Sequence, residues 1–494
     1  MGRCPCQSLQ QAVDRWGRCR REPCEERREV TRTMSLTWHV AEWIAALRPE
    51  DVPEAVRREA IVHLLDTVGV ALAGSRAPLS AILREQIGGA GGAAQATVIG
   101  STLRASAQQA ALANGAAAHA LDYDDTQLAE RPDRVYGLLT HPSAPVLPAV
   151  LALAEVTGAS GREALAAYTL GVEVACKLAE AANPRLYEAG FHTTGVVGAL
   201  GAAAGAAWLL TRDASAIARA LSLAASMAGG LREQFGTMTK PLHAGRAAEN
   251  GVVAAQLAAA GFTAAENALE APRGFFSAYA GGFDEKVVRG RLGNPWSLLE
   301  PGVSLKPAPS GSLTHPAIDA TLDLLREHDV RPEQVDSILV GVNRHMPNAL
   351  LHAIPADELQ AKFSLPYAVA VTLLDRAAGL AQFTDERVRQ PDVSALVRRV
   401  EVAIDPDAEA AGYHQMFTRV TLRLRDGRTL SAQASFARGS PQRPFTRDDL
   451  LAKFRECARL ALPPARVEEL IAAIERIEEA PDVRGLLALT RPER

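Results

Sequence analysis

The side chains in this sequence that could move protons or hold anions gather in four short clusters. The first is Leu121-Asp122-Tyr123-Asp124-Asp125-Thr126, followed after a polar stretch by Thr140-His141-Pro142-Ser143. Three carboxylates directly after an Ala-rich helix are costly to bury unless each finds a partner. Taken alone they describe a solvated acidic helix terminus. With a histidine and hydroxyls beside them they also describe an acid/base or orienting set. The second cluster, Gly190-Phe191-His192-Thr193-Thr194-Gly195, puts His192 at the N-terminal edge of an apolar helix. Backbone N–H groups and the helix dipole favour an anion there, although a histidine at that place can simply cap the helix. The third cluster runs from Gly236 through Lys240-Pro241-Leu242-His243-Ala244-Gly245-Arg246, just before a helix expected over 247–260. Lys240 and Arg246 suit carboxylate binding, Arg246 through a bidentate fork. Lys240 is alternatively a proton carrier if its surroundings lower its pKa, or part of a basic loop docked on the acidic cluster. The fourth, Ser304-Leu305-Lys306-Pro307-Ala308-Pro309-Ser310-Gly311 with Thr314-His315-Pro316 after it, reads as a rigid turn offering a cation and backbone donors.

These clusters need a scaffold, and the apolar spacing supplies one. From Leu36 to about Phe283 the sequence reads as successive helices, over 52–72, 105–121, 144–156, 162–182, 194–210, Ala214–Met227 and 247–260. Gly198, Gly201 and Gly205 share roughly one helical face, which permits close helix approach and points to a compact bundle. Near Pro301 the pattern changes. Val335–Val342, 397–404, Thr418–Leu424 and 428–435 read as strands, the last two joined by the hairpin signal Asp426-Gly427. Helices are expected at 315–327 and 357–374, and closing helices at 447–460 and 464–478 should return to the main body. The fold class is therefore mostly α, a large all-helical domain plus a smaller α+β lid. The expected division is a disordered leader over 1–33, the helical domain over 34–300, the lid over 301–440 and C-terminal helices over 441–494. Lys306 falls at the junction of the two domains, a favoured place for a small-molecule site.

Composition narrows the function classes. A net charge of -4, with no long single-sign block except near the N-terminus, argues against nucleic acid or an anionic membrane surface as partner. The stretch 189–211 carries no charge and is long enough to span a bilayer, but its Ala and Gly content suits a buried core helix. Cys4, Cys6, Cys19 and Cys24 in the leader fit neither a disulfide framework nor zinc spacing, so a reducing, cytoplasmic location is the default. There is no phosphate loop, nucleophile elbow, His-Glu-x-x-His pair or dinucleotide fingerprint, and Gly88-Gly89-Ala90-Gly91-Gly92 reads as a flexible loop. The expectation is an enzyme without metal or other cofactor.

Taken in order, the clusters resemble the MmgE/PrpD family. The resemblance rests on Leu65-Asp66-Thr67-Val68-Gly69, Asn114-Gly115, Leu121-Asp122-Tyr123-Asp124-Asp125-Thr126, His141-Pro142-Ser143 and Phe191-His192. It continues through Thr239-Lys240-Pro241-Leu242-His243, Leu305-Lys306-Pro307, Thr314-His315-Pro316, Lys362-Phe363-Ser364-Leu365-Pro366-Tyr367 and Gly439-Ser440-Pro441, over about Leu36 to Leu462. That family includes 2-methylcitrate dehydratases, cis-aconitate decarboxylases and dicarboxylate epimerases. The resemblance implies a cleft between the two domains, a homodimer, and no metal, iron–sulfur cluster or nucleotide. Family active-site residues carry over to Asp122, Thr126, His141, His192, Lys240 and Lys306. A lid tyrosine has no direct counterpart; His345-Met346 stands near its place, with Tyr367 as substitute. His243, Arg246, Ser310 and Tyr367 complete the expected substrate contacts. The implied chemistry is that of a lyase acting on a small di- or tricarboxylate by proton transfer next to a carboxylate. Negative charge that builds on carboxylate oxygens would be stabilised by Lys240 and Lys306, while His141 moves the proton and Asp122 orients it. An epimerase on the same fold, or a non-catalytic polycarboxylate-binding paralogue, uses the same inventory.

Overall fold

The computed structural model describes residues 35–128, 139–412 and 415–492. The expected leader over 1–33, with its four cysteines, lies outside them. The longer helices of the main body are α1 (Leu36–Ala46), α2 (Glu54–Gly74), α3 (Pro78–Ala90), α4 (Ala107–His119), α5 (Ser143–Thr157), α6 (Gly161–Ala182), α7 (Thr193–Leu210), α8 (Ala214–Met227) and α9 (Thr239–Ala259). Ser106 and Ser160 open α4 and α6 with capping boxes, and Asp213 caps α8.

Missing side chains set the close approaches. A methyl group on Gly201 would lie 2.6 Å from the Gly171 carbonyl oxygen of α6, and one on Gly205 2.7 Å from that of Ala167. α7 is thus the central helix of the bundle, apolar because it is surrounded by protein along nearly its whole length. A second crossing bears directly on function. A Cβ on Gly115 of α4 would lie 3.0 Å from the Gly245 Cα of α9, and one on Gly245 2.4 Å from the Leu112 carbonyl oxygen. With backbones this close, the C-terminal end of α4 faces the first turn of α9.

The smaller domain contains α10 (His315–His328), β1 (Val335–Val342), α11 (Leu365–Asp375), β2 (Val400–Ile404), β3 (Thr418–Leu424) and β4 (Thr429–Ala434). The sheet order is β2-β1-β3-β4, with β1 parallel to β2 and the other pairs antiparallel. Asp426 and Gly427 make the β3–β4 turn, where Gly427 takes φ 89°. Val335, Ile338, Val340 and Val342 are buried beneath α10 and α11. Toward the C-terminus come α12 (Arg447–Ala458) and α13 (Pro464–Glu475), which pack on α2, and then a short helix over Arg484–Leu489. Phe454 of α12 lies so close to α2 that a Cβ on Gly69 would meet its ring at 2.8 Å. Leu450 and Ile474 belong to the same buried cluster as Leu36 and Val252.

Several element boundaries differ from the sequence expectation. The helix expected from 247 begins at Thr239, because Pro241 falls in the first turn, where its missing N–H is no loss. The expected helix over 357–374 is broken between Ala361 and Leu365, where Ser364 caps a new start ahead of Pro366. The segment 397–404 is divided between a short helix ending at Val397 and a strand beginning at Val400. Gly88 and Gly89 belong to α3, which ends at Ala90 and is capped by Gly91 with φ 68°.

Candidate active site

The acidic cluster is buried, not solvated: Asp122, Asp124 and Asp125 are at most 3% exposed. α4 ends near Ala120, and Asp122 adopts φ 51°, a left-handed conformation that aspartate tolerates better than most residues. The turn brings both its carboxylate and its carbonyl to lysine ammonium groups. Lys240 Nζ lies 2.7 Å from Asp122 Oδ1, while Lys306 Nζ lies 3.1 Å from the same oxygen and 2.9 Å from the Asp122 carbonyl oxygen. Thr126 and Ser304 exchange backbone hydrogen bonds at 2.9 and 2.8 Å, which binds the acidic loop to the segment carrying Lys306. On the other side, Lys453 of α12 donates to the Tyr123 carbonyl oxygen at 2.8 Å and pairs with Asp66 at 2.7 Å.

Histidines surround these charges. His119, the last residue of α4, places Nε2 2.6 Å from Lys240 Nζ and Nδ1 2.8 Å from Asp124 Oδ2. Accepting from an ammonium requires a lone pair on Nε2, so the proton of this imidazole sits on Nδ1 and points at Asp124. Burial, then Lys240, pushes the His119 pKa down to about 3, consistent with that neutral tautomer. His141 is held by its backbone N–H, which donates to Thr194 Oγ1 at 3.0 Å, and by Nδ1, 2.8 Å from the Asp125 carbonyl oxygen. A carbonyl only accepts, so His141 carries a proton on Nδ1 and presents Nε2 as the nitrogen that takes or gives one. That Nε2 lies 4.0 Å from Asp122 Oδ1. Asp125 Oδ2 is 2.7 Å from His63 Nδ1 and accepts from the Ser143 hydroxyl.

The charges are strongly coupled. Burial disfavours the Asp122 carboxylate, yet Lys240, Lys306 and His141 outweigh it and hold its pKa well below the ordinary range. Burial likewise opposes Asp124, and His119 and His141 overcome it. The Asp122 Oδ2 atom is buried with no hydrogen-bond partner. His119, Asp122, Asp124 and His141 each offer a potential metal-ligand atom, all within 4.8 Å of one another. The Lys240 ammonium already bonds to two of the four, so a divalent cation there would have to displace it.

The small domain closes over this centre. Phe235 of the body stacks on Phe363 with ring centroids 5.4 Å apart, and Lys240 Nζ lies 5.4 Å from both rings. His352 Nε2 donates to the Phe235 carbonyl oxygen at 3.2 Å, and Arg232 donates to that of Asn348 at 2.5 Å. A cavity of about 390 Å³ between the domains is lined by Tyr187, Arg232, Leu313 and His345. A much smaller one, about 30 Å³, reaches Thr126, Lys306 and His315.

Two family models match, the MmgE/PrpD N-terminal domain over residues 39–287 and the MmgE/PrpD C-terminal domain over 308–479. The chain belongs to the MmgE/PrpD family. Human cis-aconitate decarboxylase is 29% identical over 469 residues, covering 92% of this chain and 95% of its own length. The mouse protein of the same name is 28% identical over 468 residues, with 92% and 93% covered. That of Aspergillus terreus strain NIH 2624 is 26% identical over 482 residues, with 92% and 95% covered. Both halves of the site, Lys240 in the first matched domain and the segment just before the second that holds Lys306, thus lie in an enzyme of this family.

Of the residues expected from sequence, Asp122, His141, Lys240 and Lys306 come together directly, with Thr126 bordering Lys306. His192 stacks on His119 at 5.5 Å, and His243 joins through His192. His192 sits at the start of α7 but makes no side-chain capping bond. Three residues stand apart. Arg246 is exposed and pairs with Glu249, because it lies on the outward face of α9 from Lys240. Tyr367 is buried in the small domain's core, its hydroxyl bonded to the Gln382 carbonyl oxygen. The Ser310 hydroxyl bonds to Thr314 at 2.8 Å. Sequence reading missed His119 altogether, since a histidine in an Ala-rich helix carries no local signal; its spacing of three from Asp122 was the available clue. It also left Lys362 as a mere part of the family match. Lys362 is 2% exposed, its Nζ has no hydrogen-bond partner, and its nearest acid is Glu358 at 3.7 Å.

Proposed function

We propose that this protein is a metal-independent carbon–carbon lyase that decarboxylates cis-aconitate or a closely similar unsaturated tricarboxylate. The observation that carries this reading is the convergence of two buried ammonium groups, Lys240 and Lys306, on Asp122 beside His119 and His141. Lys240 spends one N–H on His119 and one on Asp122, and Lys306 spends its donors on Asp122 alone. Each ammonium has three donors, so each retains capacity for a substrate carboxylate. Lys362 is the candidate for a further carboxylate: it is buried, and its ammonium has no hydrogen-bond partner, with Glu358 its nearest acid at 3.7 Å. The names of the relatives above supply the substrate class and reaction.

In such a substrate the leaving carboxylate sits on a carbon next to the double bond. When the C–C bond breaks, CO2 departs and the electron pair spreads over the allyl system onto a remaining carboxylate. The fixed cations favour that charge in a site closed to water, without reorganising. A protonated His141 then delivers one proton from Nε2 to the far allylic carbon, leaving an unsaturated dicarboxylate. Asp122, with an unpartnered Oδ2 and 4.0 Å from His141, stabilises the imidazolium before transfer. The test is to incubate the protein with cis-aconitate in D2O, following CO2 release and the proton spectrum. Stoichiometric CO2 and one deuterium at the carbon beside a product carboxylate are expected. Hydration, or epimerisation of an added dicarboxylate, without CO2 would reject this reading.

A further inference from the structure

Decarboxylation consumes one proton per turnover, since CO2 leaves as a neutral molecule and the electron pair it leaves behind must gain H⁺ at the far allylic carbon. His119, Asp122, Asp124, His141 and His192 are all at most 4% exposed, so that proton has to cross protein. Among the described residues, one pair of side chains leads outward. His192 Nδ1 lies 3.2 Å from His243 Nδ1, and the two rings are 5.4 Å apart. The approach is built into the backbone. His192 N–H donates to the Gly230 carbonyl oxygen at 2.9 Å, and Phe191 bridges to Leu231. A Cβ on Gly195 would lie 2.4 Å from the Gly229 carbonyl oxygen and 3.1 Å from the His243 Cβ, so only glycine lets α7 begin here. His243 is half-buried and lines a surface depression of about 540 Å³ with Gly230, Gln234, Thr239, Arg246 and Asn250. At the inner end, His192 stacks on His119 and lies 6.4 Å edge-on from His141, and its buried Nε2 has no hydrogen-bond partner.

We propose that His243 and His192 form a proton relay that carries the proton of each turnover from this depression to the buried centre. The inference rests on the decarboxylase reading. A proton arrives on His243 Nε2, its Nδ1 proton passes to His192 Nδ1, and His192 Nε2 releases one inward, where His141 is recharged. The passage leaves both imidazoles neutral in the opposite tautomers, and each exchanges back through water before the next turnover, so no co-reactant is needed beyond solvent. Burial and the Lys240 charge lower the pKa of both rings, which makes each a carrier that gives its proton up quickly. The charged groups facing the pair are Lys240 within and Arg246, paired with Glu249, at the rim.

The experiment compares His243→Gln with the wild type on cis-aconitate. The relay predicts kcat lower by about tenfold or more with KM unchanged, within the range for lost acid–base help. It also predicts a larger solvent isotope effect, and recovery of kcat when imidazole, small enough for the depression, is added to the buffer. A merely structural role would give neither the isotope effect nor the rescue. If His243→Gln does not fold, His243→Asn provides the same comparison. A wild type that turns over while the variant matches it, or loses rate without rescue, overturns the relay alone. A wild type that releases no CO2 overturns the decarboxylase reading and the relay with it.

Discussion

Lys240 and His119 meet at 2.6 Å where α4 and α9 cross, joined ammonium to imidazole in a centre closed to solvent. The contact exists because Gly115 and Gly245 let the two helices touch a few residues away. It makes His119 the acceptor that aims Lys240 at Asp122, and it keeps His119 neutral, bonded on its other side to Asp124.

Replacing His119 by Gln is therefore expected to slow turnover by about a hundredfold, comparable to His141→Ala, since general acid–base and preorganised polar groups typically contribute about 10²–10⁴-fold. Each product molecule formed in D2O gains one deuterium from solvent in either variant, so the two are compared by the rate of CO2 release. Wild-type turnover in His119→Gln would make it a packing residue.

Removing single cations separates binding from chemistry. Lys240→Met and Lys306→Met should each lower kcat/KM about ten- to hundredfold, the loss of one charge-assisted contact of about 1.5–3 kcal/mol. Asp122 keeps one lysine in either variant, so circular dichroism should be unchanged. Lys362→Met should instead raise KM for a tricarboxylate while leaving kcat near wild type. Equal effects on a dicarboxylate inhibitor would place Lys362 elsewhere in the binding scheme.

Stability should fall on both sides of neutrality, for opposite reasons. Burial, aided by neighbouring lysines, holds His119 and His315 neutral with pKa values near 3, below the ordinary 6.5. As pH drops through 6.5 the unfolded chain binds protons that the fold refuses, so each costs up to about 1.4 kcal/mol per pH unit until their folded pKa is reached. Above 6.5 both states are neutral and this contribution is flat. His63 behaves in reverse. Burial opposes its charge, but Asp125 and Glu59 outweigh it and raise its pKa to about 10. Its contribution is complete below 6.5 and is lost as pH rises toward 10. Urea unfolding across pH should show a maximum near 6.5 to 7, and His63→Gln should flatten the alkaline limb. A free energy independent of pH between 5 and 9 would contradict these assignments.

Activity should survive exhaustive chelation. The four potential ligand atoms of His119, Asp122, Asp124 and His141 lie within 4.8 Å, but the Lys240 ammonium already binds two of those residues. Loss of activity on chelation, restored by one equivalent of a specific metal, would show that a cation replaces the lysine.

The sequence carried the family and the helical body with a smaller α+β unit, and it picked out Asp122, His141, Lys240 and Lys306, which the structure brings together, because these sit in short motifs with unusual local composition. It also determined the β3–β4 turn and the small-residue face of α7, features set by local geometry. It misjudged where α9 begins: Pro241 fits a first turn, so the helix starts at Thr239 rather than near 247. That three aspartates within four positions are buried follows from the packing of the chain, which gives each different partners: lysines for Asp122, His119 for Asp124, His63 for Asp125. Nothing in the chain order announces that residues 119, 122, 240 and 306 share one oxygen's neighbourhood. The same holds for Arg246, whose charge suits a carboxylate but whose place on α9 turns it to solvent, where Glu249 takes it. Charge type is a local property of sequence; partner and exposure follow from how helices cross, and here glycines on two helices set that crossing.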